Sequence, residues 1–424
     1  MAHVDRHFEH LDPRAIAPSR MLFEKARMIC MALAFVGAVG AGLGWAINPQ
    51  QFYYSYLSSW AFCWTTMMGV LFFVMLHYLV GAGWDTVIRR PAEQLLGAMP
   101  IIVLGLVPIL IGMFSGKLYP WAYGKEHIEG FGGWFLSVPV VLTALVIYAA
   151  IWLTLSYILR RNSLMQDGDG AAKWTLSSRK WSAGGIILYA LAFSFCSFHL
   201  LMSLDPHWYS TIFGVYLWTG GVVGGLALMT LITLSLRRGV LRDYIGSDTI
   251  HDIGKLTFAF NCFWAYIAFS QYFLIWYGNI PEETIWFLRR WTGEGTYGPA
   301  QWWIVATLFP IGMFLAPFLV LMSAVMKRTG TVLATMCVVM LVAHWLEMAW
   351  FVQPELRIDG MPRLALPLQW MWIDLSVICL LGGAMGMVYI RLLRKAPLVP
   401  VMDPMLVEAL SAEHVEEIVQ ADVE

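Results

Sequence analysis

The sequence predicts an all-α polytopic membrane protein with ten transmembrane helices, and three observations predict it. Hydrophobic residues make up 59% of the 424-residue chain and charged residues only 13%. The apolar residues gather in ten runs, each long enough for a helix to cross a bilayer, which takes about 20 residues. Lys and Arg alternate from one connection to the next, with 21 on one side and 6 on the other. The richer side is expected to be cytoplasmic, and it carries both termini.

Taken in order, the expected spans are 26–46, 55–82, 95–114, 133–158, 182–204, 211–236, 256–278, 300–326, 330–351 and 367–390. The basic connections are the N-terminal tail, Arg89–Arg90, the 160–180 loop, Arg237 to Lys255, Lys327–Arg328 and Arg391 to Lys395. One missed helix would scramble that alternation, so it also supports the count. The first 25 residues are polar and basic without an apolar core, so no signal peptide is expected. The stretch Trp286 to Trp291 reads as a short segment lying on the outer surface. Gly40 and Gly44, Gly220 and Gly224, and Gly382 and Gly386 stand four apart. Such spacing lets helix backbones approach, and it speaks for packing rather than chemistry.

A faint internal repeat suggests the organisation. Phe52-Tyr53-Tyr54-Ser55 opens the second span and Trp208-Tyr209-Ser210-Thr211 opens the sixth. His199 and His344 each precede an outer X-Pro step, Asp205-Pro206 and Gln353-Pro354. The expected units are a cytoplasmic N-terminal tail at 1–25, a peripheral helix with its outer loop at 26–54, and a first four-helix bundle at 55–204. A second, parallel four-helix bundle at 205–351, an outer loop with the tenth helix at 352–395, and an acidic cytoplasmic tail at 396–424 complete the chain. That tail contains a predicted amphipathic helix around 407–419.

Composition excludes several functions. A net charge of −1 makes no case for nucleic acid. Six cysteines fall in apolar runs without a C-x-x-C pair, so neither an iron–sulfur cluster nor a structural zinc is expected on this chain. His3, His7 and His10 have helical spacing but lie in a tail.

The residues that point to chemistry are Glu347 and Asp374. A carboxyl at membrane depth costs about 2.5–3.5 kcal/mol on insertion scales. His344 is three residues before Glu347, on the same helix face. His199, with Asp205 and His207 just beyond it, and Gln271 fall at similar depth on other spans. Polar groups gathered in the outer half of a membrane mark a proton path or an amphiphile site. The inner half offers His77, Asn261 and the Asp252 region, with no carboxylate at mid-depth, so an outer half-channel is better supported than a full one. The plain structural alternative is that the histidines only bond neighbouring carbonyls and that Asp205-Pro206-His207 is a turn. A haem between His199 and His344 is not expected, because the chain offers no second histidine pair.

The run Met202-Ser203-Leu204-Asp205-Pro206-His207-Trp208-Tyr209-Ser210-Thr211-Ile212-Phe213-Gly214-Val215-Tyr216 resembles the region joining the two bundles in ActF-type subunits of bacterial alternative complex III. These belong to the NrfD/PsrC-like family of membrane subunits. His344-Trp345-Leu346-Glu347 and the Tyr-rich opening of the second span are similar as well. The resemblance implies a subunit of a quinol:electron-acceptor (cytochrome c) oxidoreductase in the bacterial cytoplasmic membrane. It implies partners: a paralogous NrfD-like subunit, an iron–sulfur subunit and c-type cytochromes, besides lipids. Iron–sulfur clusters and haem c would sit in those partners, and menaquinone or ubiquinone would be the quinone. Carried over by residue, the candidates are His199, Asp205, His344, Glu347 and Asp374.

The leading expectation is therefore a scaffold with a proton pathway through Glu347, His344, His199, Asp374, Asp205 and His77, without turnover on its own. A direct quinol site formed by His199, Glu347 and Gln271 remains open. So does a secondary transporter, for which the Pro100–Pro108 pair is the one expected break within a span.

Overall fold

The computed structural model describes residues 20–124, 128–291, 301–358, 361–363, 365–406 and 409. The tail histidines His3, His7 and His10 and, apart from 409, the expected helix around 407–419 lie outside these residues. Among the described residues ten helices are long and apolar enough to cross a membrane. Spans one to five are Phe23–Ile47, Pro49–Val80, Thr86–Phe114, Val138–Asp169 and Lys173–Leu204. Spans six to ten are Phe213–Arg237, Ser247–Gly278, Trp303–Leu321, Gly330–Glu355 and Leu368–Leu393. A helix at Pro281–Trp291 follows span seven, and Arg357–Ile358 pairs antiparallel with Met361–Pro362 between spans nine and ten.

Span two starts earlier than its hydropathy suggests. Pro49 occupies its first turn, and Asn48 Oδ1 accepts the Gln51 N–H at 3.1 Å. A side-chain cap and a proline without an N–H both favour a helix start there. The run Phe52 to Ser55 is thereby helical and buried, whereas Trp208 to Thr211 is non-helical backbone before span six, with Tyr209 exposed. The two stretches of the sequence repeat thus adopt different structures.

Span three also starts early. Arg89 and Arg90 are inside its first helical segment, Thr86–Leu96, and both are buried. They are not loop charges, because carboxylates from elsewhere in the chain meet them there. The span breaks at Gly97 and Gly105, and the carbonyls of Ile102 and Gly105 accept from Trp60 Nε1 at 2.9 Å and Tyr56 Oη at 3.0 Å. Side-chain donors of this kind satisfy backbone that proline and glycine leave unpaired.

A second break was not expected. Span eight contains a wide turn, Ile311–Leu315, between Pro310 and Pro317. Pro317 has no N–H for the Met313 carbonyl four residues before it. The side-chain amide of Asn261, on span seven, donates to that carbonyl instead.

Spans two and six are the most enclosed of the ten. They cross where small residues allow backbone contact: a Cβ at Gly69 would stand 2.1 Å from the Gly221 carbonyl oxygen, and one at Gly225 2.7 Å from Gly69 backbone. Span one lies along span ten, span four along span five, and span six also contacts spans seven and nine. The spaced glycines divide between roles. Gly40 meets Ser376 and Gly386 meets Cys30, both between spans one and ten. Gly382 faces open space, and its neighbour Gly383 makes the close approach to Ala34. Gly220 and Gly224 turn toward His344 rather than toward another backbone.

Candidate functional site

On span nine the spacing of three brings His344 Nδ1 to 2.9 Å from Glu347 Oε2. Both side chains are fully buried. His344 Nε2 lies 2.8 Å from Thr65 Oγ1 on span two. Thr65 Oγ1 also lies 2.8 Å from the Ala61 carbonyl. It either donates there and accepts from His344 Nε2, or donates to Nε2 while Nδ1 carries the ring hydrogen. In both arrangements one hydrogen occupies the contact between Nδ1 and Oε2.

The other carboxyl oxygen, Oε1, accepts the indole N–H of Trp264, on span seven, at 2.9 Å. Tyr216 on span six interacts with the same carboxyl. Space for the pair comes from glycine: a Cβ at Gly220 would stand 2.8 Å from Glu347 Oε2 and 3.2 Å from the imidazole. Gly220 and Gly224 thus serve this site, a correction to their reading as packing residues. Trp264 also walls an apolar cavity of about 360 Å³, with Tyr216, Tyr272, Phe309, Phe314 and Trp350. The wide turn of span eight borders the same space through Pro310 and Phe314.

Asp374 belongs to a different network. Ser55 and Ser58 of span two reach its carboxyl at 2.8 and 2.9 Å, and Gln353 Nε2 donates at 3.1 Å. Gln51 bonds Gln353 at 2.9 Å and accepts from Arg363. Among the described residues no hydrogen bond joins this network to Glu347. Their footholds on span two, Ser58 and Thr65, are seven residues apart, about 10 Å along a helix axis. The expected single recess holding both carboxylates is therefore two separate, internally satisfied networks.

The remaining sequence candidates are dispersed. His199 Nδ1 lies 3.1 Å from Tyr148 Oη, and its ring stacks on Phe135 with centroids 4.2 Å apart. It touches neither Glu347 nor the aromatic cavity, because it sits on span five among Tyr148 of span four and Phe135 of the short helix Gly130–Phe135. Asp205 accepts from Arg289 at 2.7 Å, while Arg290 reaches Glu355 at 2.6 Å. Burial holds the Arg290 guanidinium below its ordinary pKa, against the pull of Glu355. These pairs bind the helix Pro281–Trp291 to the connection after span five and to span nine, and Trp286 stacks on Trp208 at 4.4 Å. The segment expected on the membrane surface so buries one face against the protein. His207 is exposed. Gln271 is buried, and among the described residues neither its amide oxygen nor its nitrogen has a hydrogen-bond partner.

His77 joins a cluster at the opposite end of span two. Its Nε2 accepts from Arg89 at 2.7 Å, so its ring proton sits on Nδ1, 2.5 Å from Asp85. Arg89 also meets Glu93 at 3.1 Å and Asp403 at 2.6 Å, and Arg90 meets Asp167 at 2.8 Å. Tyr78 donates to Glu93 at 2.7 Å. Burial would raise the Asp403 carboxyl. Arg89 and the Met405 N–H outweigh it and hold the carboxyl below the ordinary carboxylate range. The sequence reading missed this cluster apart from His77. Its one local signal is Glu93, four residues after Arg89.

Among the described residues no three His, Cys, Asp or Glu side chains converge as a metal site. In comparisons with known proteins, no family model matches the chain and no curated protein matches it in sequence.

Proposed function

We propose that the chain is a membrane subunit of a quinol-oxidising respiratory complex in the bacterial cytoplasmic membrane, with both termini cytoplasmic. In this reading it scaffolds the assembly as two four-helix bundles flanked by spans one and ten, and the His344–Glu347 pair accepts and passes protons. Electron acceptors of the cytochrome c class, with iron–sulfur and haem c groups, belong to partner chains. The resemblance of the 202–216 run and of His344 to Glu347 supports the complex.

The observation that carries the proton role is the 2.9 Å contact between His344 Nδ1 and Glu347 Oε2 in a buried site closed by Thr65 and Trp264. Such a pair takes up or yields a proton by shifting it between two adjacent bases. Relay groups here are Glu347, His344 and Thr65. His199, Asp374, Asp205 and His77 are each engaged elsewhere and fall outside the path. Glu347→Gln keeps the shape and removes the base. It is expected to lower proton release and turnover of the assembled complex on the order of 100-fold while partner chains still co-purify. Unchanged turnover removes Glu347 from the mechanism. Purification in mild detergent without haem- or cluster-bearing partners removes the complex.

A second reading, direct quinol binding, is favoured by the aromatic cavity beside Trp264. Its size falls in the range of small-molecule pockets, about 300–1,000 Å³. Glu347 would then act from behind Trp264, without His199. A photoreactive quinone analogue that labels Tyr272 or Phe309 supports this reading, and labelling around His199 contradicts it.

A further inference from the structure

We propose that the groove between the arginine-rich ends of spans one and ten binds the headgroup of an anionic phospholipid. The groove is a cavity of about 600 Å³ lined by Arg27, Arg391, Arg394 and Lys395 together with Met387 and Val388. One carboxylate sits among these four cations: Glu24 accepts from Arg394 at 2.6 Å and lies 3.6 Å from Arg27. Among the described residues neither Arg391 nor Lys395 pairs with a carboxylate. Counted over the described residues, the groove keeps a net positive charge with donors to spare, and guanidinium forks match phosphate oxygens.

The walls argue for a lipid over a soluble phosphate. Met31 and Phe35 stand one and two turns from Arg27 on the same face of span one, exposed by 52% and 70%. On span ten, Met387 and Val388 sit one turn from Arg391 and line the same cavity. Each helix thus sets cations directly above an apolar row. That is the geometry of a phosphate head with acyl chains beneath it, and basic pockets between spanning helices bind lipids in this way. The chain's own competing anions are the acidic stretch at 407–424 and Asp5, Glu9 and Asp12 of the N-terminal tail.

The test uses the full-length protein in mild detergent. Native mass spectrometry and thermal unfolding are recorded with cardiolipin, phosphatidylcholine or inorganic phosphate added. Cardiolipin is expected to stay bound and raise the unfolding midpoint, and the other two to do neither. Arg391→Gln with Lys395→Gln leaves the Arg394–Glu24 bond intact and should weaken cardiolipin binding by about 10- to 30-fold. Arg391→Gln alone gives the same reading, with a smaller loss, where the double variant fails to fold. Equal binding of phosphatidylcholine, equal stabilisation by inorganic phosphate, or unchanged binding in the variants overturns the proposal. So does a carboxylate–amine crosslink from Lys395 to the acidic tail that cardiolipin does not displace.

Discussion

Trp264 donates its indole N–H to Glu347 at 2.9 Å, and the same residue walls an aromatic cavity. One side chain therefore stands between a buried acid and an aromatic cavity of about 360 Å³. Indole is suited to this place because it has a single polar atom and an apolar body.

Replacing Trp264 with Phe should separate these two roles. The ring remains, but Glu347 Oε1 loses its donor in a buried site. A stability loss of about 1–3 kcal/mol is expected, measured as a lower unfolding midpoint in detergent. Trp264→Leu should cost more, since it also opens the wall. Equal effects of the two substitutions would show that the hydrogen bond contributes nothing.

Gly220→Ala should damage the site although it changes no polar group. The added methyl carbon would lie 2.8 Å from Glu347 Oε2, inside contact distance. A stability cost of about 1–3 kcal/mol is expected from overpacking, and under the proposed function the turnover of the complex falls with it. Gly382→Ala is the control, because a Cβ there meets nothing within 4 Å. It should leave stability unchanged or slightly raised, by about 0.5–1 kcal/mol.

The attachment of the C-terminal segment should depend on pH through Asp403. Its folded carboxyl is held below the ordinary range, with Arg89 at 2.6 Å. Ionised Asp403 therefore stabilises the docked segment above the unfolded value, about pH 3.9. That contribution fades as pH falls through the lower folded value. Proteolysis of residues 396–406 should accelerate across that acid window in the native protein. Asp403→Asn should show fast cleavage at neutral pH and no such acid-dependent rise.

Asp205 is expected to hold a helix in place, with no part in proton transfer. Its carboxylate lies 2.7 Å from Arg289. A double-mutant cycle with Asp205→Asn and Arg289→Gln should give a coupling of about 0.5–3 kcal/mol in stability. Proton release per turnover should stay unchanged in Asp205→Asn. A selective loss of proton release would return Asp205 to the path.

Much was legible in the chain because hydropathy and helical spacing are local. Ten spans follow from runs of apolar residues, and the His344–Glu347 contact follows from a separation of three on one helix. The proline signal at Pro310 and Pro317 was also present, although its consequence needed Asn261 from another span. Glu93 beside Arg89 and Arg90 was a hint that those arginines were paired and not loop charges.

What only the tertiary structure decided is which polar group faces which. Ser55 and Asp374 are 319 residues apart in sequence, Arg89 and Asp403 are 314 apart, and Thr65 and His344 are 279 apart. Depth along a helix can be counted from sequence, but rotation about its axis and the neighbour it meets cannot. Glu347, Asp374 and His199 therefore read as one cluster by depth, while in the fold each is enclosed by a different set of helices. The cost of burying a polar group explains both halves: it marks these residues in the sequence, and it obliges each to find its own partner nearby.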